Sequence, residues 1–518
     1  MRWLPYLSCL LVLGCGQAVA PPPASPASPP QQAAAAPAPP APNEQLDLAP
    51  PPPAQCGDLV GAGPATPDCG ANRTATLTHL AEALELSEPK QQEAALARLE
   101  ACPELAPGLV RGLRAELAPV ACGDAIVGDL PTTDADELSP PIRDALRGLA
   151  LAAQLNRLVR DPPRLEPPFD KQRFDEFLKG RLAEWMLQQA HAIQKLAEVG
   201  ASLEGYGKGI VAVEAGVADM RFVDVVRDVP LPEAIASDPE LKDVYYGSLD
   251  QALEPRKQRG RDAALVGLKI LADVGVLEDQ RIDRARSLLS KLYQGRRIDA
   301  LDGLMIPVAA ATAPHELEER LAATLPTFYA GVVLREQEPG EPMFLQALLQ
   351  RGLPRVDRDK LDPESLSPPA RLLVARALFR SGQLYWRAED FARVSTFLGE
   401  PVPGDEGETA KLLAAVAAAL SSGPADAAQM MAKGPAPDGA IDVSGLDQLA
   451  LSGGRLAGAA AFDAAFLLQL APPKTNARAF WKDLEQRYRR AARQLDGASK
   501  GLALDAASAA SETLKAIE

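Results

Sequence analysis

The stretch Ser139-Pro-Pro-Ile142-Arg-Asp-Ala-Leu146-Arg-Gly-Leu149-Ala-Leu-Ala-Ala153 decides the fold class. It sets out a capping residue, then proline, then apolar side chains at Ile142, Leu146, Leu149 and Ala153. A serine side chain can satisfy a free amide of a helix's first turn, and proline is tolerated there because its missing N–H has no partner to lose. Apolar residues at that spacing form one stripe of a helix. The same punctuation returns at Ser87-Glu88-Pro89, where Ser87 is the expected cap, at Asp238-Pro239 and at Ser367-Pro368-Pro369. Upstream, Leu77, Leu80 and Leu84 and then Leu96 and Leu99 repeat the stripe. Downstream, Phe174 to Val199 reads as one long helix with Phe177, Leu178, Leu182, Trp185, Leu196 and Val199 inward. No stretch alternates as a strand does; Phe222-Val-Asp-Val-Val226 comes nearest and fits a helix as well. Aromatic residues are only 5% of the chain, so the core must rest on Ala and Leu, which suit closely packed helices. The expected fold is all-α.

In the C-terminal third, Ala375, Leu378, Gly382, Leu384 and Phe391, ending at Gly399-Glu-Pro401, resemble part of a tetratricopeptide repeat. Arg387 and Val394 stand at two positions where that family has small residues. Further helix–Gly–helix units follow around Gly423-Pro424 and Gly453-Gly454. Phe480, Trp481, Leu484, Tyr488 and Leu495 stripe a helix that ends at Gly497, and Ser499 to Ile517 reads as a capping helix. The resemblance implies an irregular helical-hairpin repeat, an α-solenoid of TPR- or HEAT-like type. The clearest internal break is Asp161-Pro-Pro-Arg-Leu-Glu-Pro-Pro168. The expected segments are a signal peptide at 1–15, a Pro/Ala-rich linker at 16–55, a disulfide-braced helical section at 56–165, a helical domain at 166–310 and the TPR-like repeat domain at 311–518.

The chain begins Met1-Arg-Trp-Leu-Pro-Tyr-Leu-Ser-Cys-Leu-Leu-Val-Leu-Gly-Cys15. A positive start and an apolar run from Leu4 to Leu13, too short to span a bilayer, read as an export signal. Val12-Leu13-Gly14-Cys15 resembles the lipobox of bacterial lipoproteins, with Leu13 where a small residue is usual. That resemblance implies that Cys15 becomes the mature N-terminus and carries acyl chains, palmitate among them. Gly16 after it, in place of Asp, implies delivery to an outer membrane, facing the periplasm or the surface. The alternative is cleavage after Ala18-Val19-Ala20, which would release a soluble protein. From Gly16 to Ala54 the chain is mostly Pro and Ala and reads as a tether reaching at most ~120 Å, with folded structure starting near Cys56.

Beyond Cys9 and Cys15, the remaining cysteines are Cys56, Cys69, Cys102 and Cys122, all near the start of the folded part. In an exported chain they read as disulfides, with Cys56–Cys69 and Cys102–Cys122 preferred because both loops are short. No C-x-x-C pair or nearby His spacing points to zinc. The net charge of −15 disfavours nucleic acid as a partner and keeps an exported protein dispersed.

Nothing converges on a reaction. His79, His191 and His315 are far apart, no G-x-S-x-G elbow occurs, and no cofactor motif is evident. Gly205-Tyr-Gly-Lys-Gly209 lacks the Ser or Thr that a phosphate loop needs after its Lys; Gly205, Gly209 and Gly216 read instead as a close helix crossing. Glu214, Asp219, Asp224 and Asp228, interleaved with Arg221 and Arg227, read as a salt-bridged helix face. Arg256-Lys257-Gln-Arg259-Gly-Arg261 and Gly295-Arg296-Arg297 read as basic turns between helices, the first a candidate contact for an anionic ligand through Arg256, Lys257, Arg259 and Arg261. The expectation is therefore a non-catalytic, lipid-anchored scaffold that binds a protein partner in the cell envelope, without metal or cofactor. The competing expectations are a cell-wall or glycan-processing hydrolase and a glycan or lipid binder. A deep cleft with two facing carboxylates favours the first, an open basic patch the second, and a shallow apolar groove the scaffold.

Overall fold

The computed structural model describes residues 48–60, 66–160, 162–293, 295–307, 316–325, 332, 361–399, 405–436, 441–473 and 477–517. These residues are all-helical, with no strand among them. The signal, Cys15, the Ala18-Val19-Ala20 site, most of the tether and His315 lie outside the described residues.

The first helices are α1 (Ala54–Val60), α2 (Arg73–Leu84), α3 (Pro89–Leu99), α4 (Leu109–Leu117), α5 (Gly123–Val127), α6 (Leu130–Thr133) and α7 (Pro140–Leu158). Folded structure starts ahead of Cys56: Leu48 and Ala49 pack on the apolar core, and the Pro50 carbonyl accepts from Arg157 Nε at 2.8 Å. Arg157 also donates to the Ala121 carbonyl at 2.7 Å and grips both oxygens of Asp124 at 2.6 Å, so one buried guanidinium ties the chain's entry to α5 and α7. The cap-and-proline starts hold in position, with two departures: Ser139 stands at the start of α7 without a side-chain capping bond, and the cap of α3 shifts by one residue. Glu88, not Ser87, caps α3 through Lys90 N and Gln91 N, because its longer side chain reaches both first-turn amides.

The disulfide pairing is a correction. The bridges are Cys56–Cys122 and Cys69–Cys102, with Cα atoms 5.3 and 5.4 Å apart, and not Cys56–Cys69 with Cys102–Cys122. Short loops misled because folding lays α1 against α5, which brings Cys56 beside Cys122 and nests the second bridge inside the first. In the chain-entropy model each contributes about 4 kcal/mol.

The centre is built from α8 (Lys171–Phe177), α9 (Ala183–Ala201), α10 (Gly205–Arg227), α11 (Glu233–Ala236), α12 (Pro239–Val274) and α13 (Gln280–Leu292). The helix expected over Phe174–Val199 is present, with a π-helical turn at Leu178–Leu182 joining α8 to α9. Helix α10 is buried on nearly all sides. Two of the three glycines expected at a close crossing make one with α12: a methyl on Gly209 would lie 2.7 Å from the Leu271 side chain, and one on Gly216 would lie 2.6 Å from the Gly260 carbonyl. Gly207, which the sequence did not single out, makes another, where a methyl would collide with the Asp144 carbonyl of α7. The Gly205–Gly209 run is helix, which removes the phosphate-loop geometry.

The rest comprises α14 (Leu317–Thr324), α15 (Pro368–Tyr385), α16 (Ala388–Phe397), α17 (Asp405–Leu420), α18 (Ala427–Lys433), α19 (Ser444–Leu451), α20 (Ala457–Leu470), α21 (Ala477–Gln494) and α22 (Gly497–Ile517). The hairpin α15–α16 closes where Gly382 gives room to the Phe391 ring and Trp386 takes a left-handed backbone, φ 57°. Val394 is buried, and Arg387 uses its atypical position to reach Asp273 of α12 at 3.2 Å. Helices α20, α21 and α22 pack in sequence through alanines such as Ala460, Ala464, Ala491 and Ala503.

Candidate functional site

The basic cluster is a second correction. Arg256, Lys257, Arg259 and Arg261 lie inside α12, which runs unbroken through Pro255. A proline inside a helix costs about 3 kcal/mol, but Leu249 and Leu253 before it and Gly260 and Ala264 after it hold the chain against α10 and keep it helical. Arg256 Nε donates to Asp219 Oδ1 at 2.9 Å and Arg259 Nε to Asp219 Oδ2 at 2.7 Å, so two guanidinium groups neutralise one buried carboxylate. Arg256 also lies 3.4 Å above the Phe222 ring, and burial pulls its pKa down. Lys257 faces Glu254 at 3.6 Å and Arg261 faces Asp262 at 2.8 Å, both over Tyr293. Each cation is already matched by an acid of the same chain, so the four do not converge on an open cradle.

The expected salt-bridged face of α10 exists, but its partners come from other helices. Glu214 pairs with Arg284, Asp224 with Lys291 at 2.7 Å, and Arg227 with Asp250 at 2.8 Å. The last two line a polar groove of about 530 Å³ between α10, α12 and α13, where the ion pairs leave no strongly charged floor.

Sequence reading missed the most enclosed cluster, because its members are remote in the chain. Tyr206 donates to Glu116 Oε2 at 2.7 Å; Arg281 Nη1 donates to Glu116 Oε2 at 3.2 Å and Asp279 Oδ2 at 3.3 Å. Asp279 also caps α13 through the Arg281 amide at 2.6 Å. Burial raises the Glu116 and Tyr206 pKa values. Burial works against the Arg281 charge, yet the Glu116 and Asp279 carboxylates hold its pKa well above the usual range. Two carboxylates do meet here, but they are sealed in the core at 9% exposure or less, so substrate has no path to them. A sealed Glu–Arg–Asp cluster joins α4, α10 and α13; it is not a hydrolase cleft.

The open surface is different. Val266 is 54% exposed on the outer face of α12 and forms a ridge between two grooves. One, of about 580 Å³, is floored by Val211 and Ala215 of α10 and walled by Ala197 and Ala201 of α9 and by Ala263 and Ile270 of α12. The other, of about 360 Å³, runs between α12 and the start of α18, where Leu265, Ala272, Tyr385 and Ala427 line it beside Lys269 and Arg387. Both are shallow and mainly apolar: Ala, Val and Ile dominate the first beside Lys208, Arg259 and Asp262, while Asp262, Asp273 and Asp426 join the two cations among the Leu, Ala and Tyr of the second.

Cys69, Cys102 and Glu104 are close enough to suggest three metal ligands, but both sulfurs are taken by their bridge. His79 Nδ1 lies 2.9 Å from the Asp68 carbonyl and His191 is exposed, so neither stands with a nucleophile or a ligand set.

No protein-family model, curated protein or solved structure matches this chain. Among the described residues no helix is long and apolar enough to cross a membrane.

Proposed function

We propose that this chain is an exported lipoprotein, anchored through acylated Cys15, whose folded part is an irregular helical-hairpin array acting as a non-catalytic docking scaffold for a protein partner in the cell envelope. The lipobox-like Val12-Leu13-Gly14-Cys15 supports the anchor, and Gly16 supports an outer-membrane address. The single observation that carries the scaffold is the ridge of Val266 between two shallow apolar grooves, a form suited to an amphipathic helix or extended segment of another protein. The sealed carboxylates and the matched cations of α12 weigh against the hydrolase and against anion binding at Arg256–Arg261.

A photo-crosslinking residue at position 266, in cells making the full-length protein, should capture one protein that the same residue at exposed Lys242 does not. Metabolic labelling with an acyl probe should mark the wild type and leave Cys15→Ala unmarked. Purified protein that cleaves peptidoglycan, with cleavage abolished by one carboxylate substitution, would overturn the scaffold. A mature N-terminus at Pro21 would overturn the anchor.

A further inference from the structure

In a chain of net charge −15, helix α21 runs the other way: Ala477–Gln494 holds six Arg and Lys against Asp483 and Glu485, a local charge of +4. Its inner face is Leu484, Tyr488, Ala491 and Ala492. Lys482, Arg489, Arg490 and Arg493 fall on the outer face and are exposed. Arg489 is shared with Glu485 at 2.6 Å, while Lys482, Arg490 and Arg493 have no acidic partner among the described residues. This is the reverse of the Arg256–Arg261 run of α12, whose four cations are each matched.

The neighbouring α22 completes the surface. Between the two helices lies a groove of about 370 Å³ lined by Arg489, Leu504, Ser508, Ser511, Glu512 and Lys515. Leu504 is 49% exposed beside these cations, an apolar side chain that no described residue covers fully. Two packed helices offering unpaired cations, hydroxyls and an exposed leucine match a layer of phosphate headgroups above acyl chains. Each Lys or Arg near an anionic bilayer is worth about 1 kcal/mol, roughly fivefold in partitioning, so a face of four is enough to orient a protein that is already at the membrane.

We infer that the outer face of α21, with the α21–α22 groove, is a docking surface for anionic phospholipid, which lays the C-terminal end of the folded part against the bilayer. The inference takes from the proposed function only the nearness of a membrane; the surface itself stands on the charge and exposure of these two helices.

The test uses the full chain carrying Cys15→Ser, so that no acyl anchor contributes. Cosedimentation is measured with phosphatidylcholine vesicles and with vesicles containing about 30 mol % phosphatidylglycerol. Binding should require the anionic lipid and weaken as salt rises. Converting Lys482, Arg489, Arg490 and Arg493 to Gln should lower it at least about tenfold. Converting exposed Lys171, Arg173, Lys179 and Lys242 to Gln removes the same charge elsewhere and should leave it within about twofold. Equal loss in both variants, no loss in the α21 variant, or no preference for anionic vesicles each overturns the inference. Circular dichroism of both variants checks that the fold is kept. Because Cys15 is absent throughout, a missing acyl anchor and a missing lipid surface give separate readings.

Discussion

Helices α10 and α20 are both buried nearly all round, and each carries acid into the interior, but they treat it differently. Helix α10 brings Glu214 and Asp219, and neighbouring helices supply Arg284 to the first and Arg256 with Arg259 to the second. Helix α20 brings Asp463 among alanines and phenylalanines, where it accepts from the Met305 amide at 2.7 Å and Oδ2 has no partner among the described residues. Burial pushes the Asp463 carboxyl up to about 7, with the Met305 amide only partly opposing it. The central acids meet guanidinium groups across helix interfaces; the C-terminal acid is stable inside chiefly as the neutral form. Removing each should therefore have opposite signs.

Asp219→Ala should have the largest effect. It leaves Arg256 buried over Phe222 without its counter-charge, and a stranded buried charge costs about 3–5 kcal/mol. Denaturant unfolding with unchanged slope measures it, and a loss below about 1 kcal/mol would mean that the pair is not desolvated. Gly207→Ala comes next, because the new methyl meets backbone of α7 that cannot rotate away; the expected loss is about 3 kcal/mol.

Asp463→Asn should stabilise. The folded carboxyl titrates at about 7 and the free one at 3.8, so its contribution is fully present below the lower value and is lost as pH rises through the upper. The wild type should lie close to the variant near pH 4 and fall steadily behind it as pH rises to 8. The Asp463 charge in turn adds to the burial that raises the Tyr488 phenol above its usual value. A difference that does not grow from pH 4 to pH 8 would place the charge in water. The smallest effect is expected at Gly458→Ala in α20, which meets the Leu495 side chain at 2.9 Å and the Gln494 carbonyl at 3.0 Å; since a side chain can shift, about 1 kcal/mol of loss is expected.

What could be read from the chain divides along the same line. Helix starts at Pro89, Pro140, Pro239 and Pro368 were legible because proline in the first turn is a local signal, joined at Pro89, Pro239 and Pro368 by a capping bond between neighbours. The crossing at Gly209 and Gly216 was legible because only small residues permit it. The partners were not. Glu116 and Arg281 are 165 residues apart, so no local pattern pairs them, and the Arg256–Arg261 run looked like an open turn until Asp219 was seen opposite it. The cysteine pairing failed for the same reason: loop length ranks the choices, but the approach of α1 to α5 decides.

That outer bridge has a mechanical consequence. A pull on the chain from the N-terminal side enters at Leu48, passes the Arg157 grip on Pro50 and arrives at Cys56. There the covalent bond to Cys122 offers a direct route into α5 and α7, in parallel with the whole run through α2, α3 and α4. Tension that reaches the chain from that side is thus shunted past those three helices, which stay slack while the bridge is intact and are drawn into the line of force once it is reduced.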